Sequence, residues 1–523
     1  MIGRYIQLLM LAALPGAGHA QMDGSQAPKR LVVCIAVDQL RTDCLEAFAL
    51  FYGDDGFKKL YRDGIVYANA AYPYLLTDRA SAVATLVTGT PPYYNSIVGA
   101  RWMDRATLRP VGCVDDTAYE GLNTDDQSSP ANISTSTIGD ELKMSTGGAA
   151  TVWSIAPFRD AAVLAGGHAA DGAVWIDDTT GQWCSSTYYF SPLPSWLWLY
   201  NNAHPAADID AAEWTPAVDI TREDAALPDA ALQHPFDHKF KGANRYREYK
   251  TSALVNERVT DIAIECVKSN NMGADAAADL LCITYYAGNY NDKATLDCRS
   301  ELIDTYIRLD RTIADLLRGI ESSVGEGNVL VVLTSTASSN DDNADYSKYR
   351  VPTGTFDIAR ATDLLNLYFG ALYGQGRYVE AGFGTHFFLD HKLIEQKKLS
   401  LTEATTRAKE LLLQMAGVRN VYTSLQLISS DNEHTNTIRN GYHPDRCGDV
   451  IVEVSPGWKI VNEPFKESSL SKYSHQQFPI IIYGTGQGGS YETAPVTTDR
   501  IAPTIAKTIR IRAPNGCAAE PLL

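Results

Sequence analysis

Positive charge is scarce in this sequence: 45 lysines and arginines stand against 62 aspartates and glutamates, a net charge of −17 over 523 residues. A chain this acidic lacks the basic face that a phosphate backbone demands, which excludes nucleic acid as a partner. Any anionic ligand would need a locally positive site. No two cysteines are spaced C-x-x-C, which argues against a cysteine zinc site. The nine cysteines are odd in number and fit no small disulfide scaffold. Their connectivity is open, but Cys34 and Cys282 lie inside apolar runs and read as buried thiols. No stretch beyond residue 20 is long and apolar enough to be a membrane helix, and there is no internal repeat or low-complexity tract.

What is present begins with an export signal. Arg4 gives a short positive start, Ile6 to Leu14 are apolar but too few to span a bilayer, and Gly18-His19-Ala20 offers small residues for cleavage after Ala20. The expected mature protein is periplasmic or secreted, with residues 1–20 removed. The chain is then organised around Leu31-Val32-Val33-Cys34-Ile35-Ala36-Val37-Asp38, seven apolar residues closed by one carboxylate. An unbroken run of this kind predicts a strand buried on both faces, the first central strand of a parallel α/β sheet. Working groups in such sheets sit at the carboxyl ends of strands. Asp38 stands there, either as such a group or as the cap of the next helix.

The rest alternates between helix and strand patterns. A helix is expected over 44–61, strands over 64–67, 149–155 and 163–164, and a small-residue helix ending at Thr88 before Gly89-Thr90-Pro91-Pro92. Further helices are expected over 135–144, 402–415 and 501–511. Leu302, Tyr306, Leu309, Ile313 and Leu316 recur at helical spacing. Buried strands are expected over 280–286, 329–334 and 480–483. Residues 183–253, aromatic and irregular, read as an inserted cap, and 355–445 as a second insertion.

Several groupings invite a site. His234 and His238 are four apart, but Pro235 disfavours the helix a metal pair would need. Ser81 has no histidine close in sequence to activate it and reads as a helix-starting residue. His168 reads as a satisfied structural histidine. Asn340-Asp341-Asp342-Asn343 lacks the glycine and terminal glutamate of a calcium loop. The tryptophan-rich stretch from Trp183 to Trp198 reads as cap packing, with a sugar or lipid surface as the alternative.

A resemblance runs nearly end to end. Val37-Asp38-Gln39-Leu40-Arg41, Gly56-Phe57-Lys58-Lys59-Leu60, Thr88-Gly89-Thr90-Pro91, Ile138-Gly139-Asp140-Glu141-Leu142-Lys143, Gly167-His168, Asp304-Thr305-Tyr306, Gly448-Asp449-Val450, Pro456-Gly457-Trp458 and Ile501-Ala502-Pro503-Thr504 occur in order. Together they resemble the alkaline phosphatase superfamily, in particular the secreted phosphate-irrepressible bacterial enzymes related to nucleotide pyrophosphatase/phosphodiesterases. The resemblance implies an α/β fold over 28–523: a central, mostly parallel sheet flanked by helices, with inserted cap subdomains. It also implies two zinc ions held by Asp and His, and a Thr or Ser nucleophile.

The same resemblance leaves those positions largely without their chemistry. Asp38 matches a zinc ligand and is kept. The nucleophile position falls on Arg79, other zinc-ligand positions on Tyr285, Asn289, Ser335 to Ser338 and Gln477, and the phosphate-binding positions on Ala100, Phe158 and Asp160. A register slip would bring in Arg159 or His475 instead. Catalytic zinc needs about three protein ligands, and a guanidinium has no free lone pair with which to attack. The expectation is a catalytically degenerate member without a zinc cofactor, retained for binding or interaction. Its partner would be an unidentified protein or a small anion or glycan. The candidate binding residues are Asp38, Arg79, Arg101, Arg159 and Asp160, with Arg79 pairing Asp38 in place of the metal charge. The alternative is an active phosphoesterase with a rebuilt metal site.

Overall fold

Leu31–Asp38 (β1) is a strand in which every residue is buried, as an apolar run between two layers must be. The computed structural model describes residues 29–75, 78–218, 235–293, 295–337, 350–429, 432–471 and 477–523. The main sheet adds, in chain order, Ile65–Ala71 (β2), Val152–Ile155 (β3), Gly172–Ile176 (β4), Trp183–Ser186 (β5), Asp279–Tyr286 (β6), Val329–Ser335 (β7) and Phe478–Tyr483 (β8). Across the sheet the order is Ser490–Glu492, β2, β8, β7, β1, β6, β3, β4, β5 and Gly121–Leu122, with Val496–Thr497 beside β2. Strands β7, β1, β6, β3 and β4 run parallel. β8 is antiparallel to both its neighbours, and β5 is antiparallel to β4. The result is the mixed, mostly parallel sheet the sequence implies.

Strand alternation feeds two cores. Val33, Ile35 and Val37 of β1 pack with Leu254–Ser269 (α5) and Arg299–Val324 (α6) on one face. Val32, Cys34 and Ala36 pack with Arg79–Thr88 (α1), Ile138–Ser145 (α2), Arg159–Gly166 (α3) and Ile501–Ile509 (α9) on the other. Register places Asp38 opposite Tyr286 and Val37 opposite Ser335, so the carboxyl ends of β6, β1 and β7 are level. That shared edge is where an open α/β sheet gathers its working groups.

Several local expectations are corrected. Residues 44–61 do not form one helix: Thr42–Ala47, a single turn at Ala49–Phe51, and Phe57–Asp63 are separated by Gly53-Asp54-Asp55-Gly56. Val163 and Leu164 lie inside α3 rather than in a strand, because the alanines and glycines around them let that helix pack closely under the sheet. Trp183–Ser186 belongs to the main sheet as β5, so the first insertion begins after it and includes Ser195–Ala203 (α4). The second insertion continues past 445 to Leu470. It carries Ile358–Tyr373 (α7) and Leu401–Leu412 (α8) packed on a four-stranded sheet, with a core of its own. It docks on the body through Arg446, which donates to Ser96 O at 2.5 Å and Asn132 O at 2.9 Å and stacks 4.2 Å over Trp102. Burial pushes the Arg446 pKa down to about 10.

None of the nine cysteines is in a disulfide, and Cys34 and Cys282 are buried neighbours on β1 and β6. Among the described residues no helix is long and apolar enough to cross a membrane. The expected signal segment, His234, Asn340 to Asn343 and His475 lie outside the described residues.

Candidate functional site

The site starts from a helix cap. Asp78 closes a capping box on α1: its Oδ1 accepts from Ser81 N at 2.9 Å and Ser81 Oγ at 2.8 Å, and its own N–H donates to Ser81 Oγ at 3.2 Å. The other Asp78 oxygen accepts from Ala100 N at 2.5 Å. Ser81 is thus fully buried and committed to starting the helix, as its sequence context implies. At the far end Gly89 takes the left-handed backbone that stops α1.

The cap fixes Arg79 as the first helical residue, beside the carboxyl end of β1. Its Nη1 lies 3.1 Å from Asp38 Oδ2, and its Nε lies 3.1 and 3.3 Å from the two oxygens of Asp160. Its guanidinium carbon stands 3.7 Å from the ring centroid of Phe158, close enough for cation–π attraction. Asp38 is 1% exposed. Its second oxygen accepts the Thr336 hydroxyl at 2.6 Å, and Thr336 Oγ1 in turn accepts from Gln39 N at 3.2 Å. Asp160 sits in the first turn of α3, where the helix dipole favours a carboxylate. Desolvation opposes the charged guanidinium, but Asp160 and Asp38 outweigh it and hold the Arg79 pKa above the ordinary arginine value. Lys250 lies 5.2 Å from the Phe158 centroid and is itself held by Asp178 at 2.5 Å and Ile176 O at 3.0 Å.

The five residues singled out in the sequence therefore divide. Asp38, Arg79 and Asp160 form one cluster. Arg159 turns to Asp115 at 2.8 Å, Asp126 at 3.5 Å and Ser128 Oγ at 3.3 Å. Arg101 is exposed on the hairpin strand Arg101–Asp104, 5.9 Å from the Phe383 ring centroid. Asp38 does not cap the next helix, whose N-cap is Arg41.

The other positions that the resemblance marks are occupied in ordinary structural ways. Tyr285 OH and Thr260 Oγ1 are 2.5 Å apart, and the Asn289 amide donates to Lys293 O at 2.9 Å and Thr295 Oγ1 at 3.0 Å. Ser335 Oγ donates to Leu40 O at 2.8 Å, and Gln477 O accepts from Thr42 N at 3.0 Å. Ser338 lies outside the described residues. His168 is held within the structure by two acceptors: Nδ1 is 2.9 Å from an Asp140 carboxylate oxygen and Nε2 3.2 Å from Ile133 O. His238 lies in the short strand His238–Lys239, with Nε2 2.8 Å from Glu301. Among the described residues no group of three or more His, Cys, Asp or Glu side chains is placed to hold a metal ion.

Two members of the cluster were missed as contributors. Phe158 reads in sequence only as a lost cation, and Thr336 only as one of the positions, Ser335 to Ser338, where the resemblance puts a zinc ligand. The adjacency Phe158-Arg159-Asp160, an aromatic and an acid at a helix start, was the available signal for the first. For Thr336 there was none before the register of β7 against β1 was known.

The fold and the cluster can be set beside known proteins. A family profile described as type I phosphodiesterase / nucleotide pyrophosphatase matches residues 32–478. Alkaline phosphatase PhoV of Synechococcus elongatus is 27% identical over 94% of this chain and 92% of its own length. Alkaline phosphatase PafA of Elizabethkingia meningoseptica is 26% identical over 98% of each. The crystal structure of wild-type alkaline phosphatase PafA superposes with a TM-score of 0.83 at 25% identity, covering 95% of this chain and 99% of that one. With a matching profile across most of its length and a matching fold, this chain belongs to the type I phosphodiesterase / nucleotide pyrophosphatase family.

Proposed function

We propose that this chain is a catalytically silent member of the alkaline phosphatase-like family, whose former reaction centre is an internally paired ion cluster and which acts by binding. The observation that carries the reading is the pairing of Arg79 with both Asp38 and Asp160. A residue at the expected nucleophile position is a permanent cation, engaged by two carboxylates and an aromatic face. The donor set does not fit a zinc pair. Of the ligand positions implied by the resemblance, only Asp38 carries a metal-ligating side chain among the described residues, and both its oxygens are engaged. Catalytic zinc lowers the pKa of an attacking oxygen and neutralises charge on a transferring phosphoryl group. A guanidinium already bound to two anions offers neither service.

The cluster also argues against an anionic ligand at this point. Two carboxylates to one guanidinium leave a negative balance, which works against phosphate. The binding partner, a protein or a neutral ligand, therefore engages other surfaces. The expected setting is the periplasm or the exterior.

The test combines zinc content by mass spectrometry after growth in zinc with turnover of p-nitrophenyl phosphate and its bis-ester. Absence of zinc and no turnover is the expected result. Two zinc ions per chain with turnover would establish the alternative, a hydrolase with a rebuilt metal site.

A further inference from the structure

The tryptophan-rich segment from Trp183, at the start of β5, to Trp198 divides in the structure. Trp183 is fully buried, and Trp196 packs edge-on to Trp153 at 5.3 Å between centroids. Trp198 does neither: it is 58% exposed on α4. It lines an open cleft of about 630 Å3 together with Leu122, Asn123, Pro192, Leu193 and Ser195. The cleft lies beside Gly121–Leu122, the short last strand of the main sheet. Asn123, just beyond it, is held in the left-handed backbone region at φ 63°, a conformation asparagine tolerates better than most side chains.

The chemistry of this lining is specific. It holds no charged side chain, so it offers nothing to a phosphate, a carboxylate or an ammonium group. It does hold one large aromatic side chain, Trp198, and the apolar side chains of Leu122, Pro192 and Leu193. An amide and a hydroxyl are also present, on Asn123 and Ser195, and neither has a hydrogen-bond partner among the described residues. An apolar face flanked by a few free donors and acceptors is the general form of a small-ligand site. A pyranose ring meets both requirements at once, with C–H groups on its faces and hydroxyls around its edge. A purely apolar partner would leave the amide and hydroxyl unpaired, at a desolvation cost.

We propose that the Trp198 cleft is a binding subsite for a neutral saccharide, one sugar ring stacking on the Trp198 indole while Asn123 and Ser195 hydrogen-bond its hydroxyls. The site is separate from the Asp38–Arg79–Asp160 cluster and stands whether or not that cluster is silent.

The experiment is isothermal titration of the intact protein with four neutral hexasaccharides: maltohexaose, cellohexaose, laminarihexaose and N-acetylchitohexaose. At least one is expected to bind. W198A should weaken that binding by about tenfold or more and N123A by a smaller factor. Trp198 is exposed, so W198A should keep the wild-type unfolding midpoint, and a W198F variant should retain part of the affinity. Absence of binding by all four up to about 10 mM, or equal binding by W198A and wild type, would overturn the proposal. Sedimentation of the wild type but not W198A with neutral phosphatidylcholine vesicles, without any sugar binding, would overturn it in favour of a lipid surface.

Discussion

A single arginine sets the electrostatics at the centre of this molecule. Removing one partner from a buried ion pair strands the other, and costs roughly 3–5 kcal/mol in typical cases. Arg79 is 25% exposed at its side chain, and solvent screening brings the expected loss for R79M to about 2–4 kcal/mol, read as a lowered urea midpoint. A double-mutant cycle with D38N should return a coupling of about 1–3 kcal/mol. Additive losses would mean that the 3.1 Å contact contributes nothing. R79T supplies a hydroxyl at the same place, yet phosphate-ester turnover should remain at background, since no neighbouring group is placed to activate it. Measurable turnover by R79T would show that the neighbouring residues had kept more of the chemistry than their side chains suggest.

At the scale of elements, α2 and the turn after α3 are joined by one titrating pair. Asp140 belongs to the capping box of α2 and also accepts from Ala169 N at 2.8 Å and from His168 at 2.9 Å. The hydrogen bond to Asp140 raises the His168 pKa above 6.5, burial opposing it. Burial pushes Asp140 upward, but His168 and the backbone N–H groups overcome it and hold Asp140 below 3.8. The raised histidine contributes stability in full below about 6.5 and loses it as pH rises through its folded value. The lowered aspartate contributes above about 3.8 and loses it as pH falls through its folded value. The stability advantage of wild type over H168A should therefore be larger at pH 5.5 than at pH 8.5. Equal differences in urea unfolding at both would separate the histidine from the pair.

The same scale shows what sequence could convey. β1 and α6 were legible because their periods are unambiguous, one continuously apolar and the other repeating at three and four. Val163 and Leu164 were not, since two apolar residues among small ones suit either a strand or a helix and only packing decides. In the site, Asp38 was legible as a carboxylate at a strand end, and Arg79 through the resemblance, which puts the nucleophile position on it. The Thr336 hydrogen bond was not, because it depends on how far β7 reaches past β1, a distance that no local pattern encodes.

For the whole molecule, the feature to test is the joint between the body and the 355–470 module. That module has its own buried core, and Arg446 reaches across to backbone carbonyls of Ser96 and Asn132. R446A should raise hydrogen exchange in the segments around Ser96 and Asn132 while Val450–Val454, inside the module's sheet, stays protected. Loss of protection throughout Val450–Val454 would mean that module and body unfold as one unit.

The salt link at the end of β1 has a consequence for how the protein is made. A cation carried on the chain arrives with translation, cannot dissociate, and cannot be taken by a chelator or replaced by a competing ion. The countercharge that Arg79 brings to Asp38 is therefore in place when the backbone is, with the same stoichiometry in every copy.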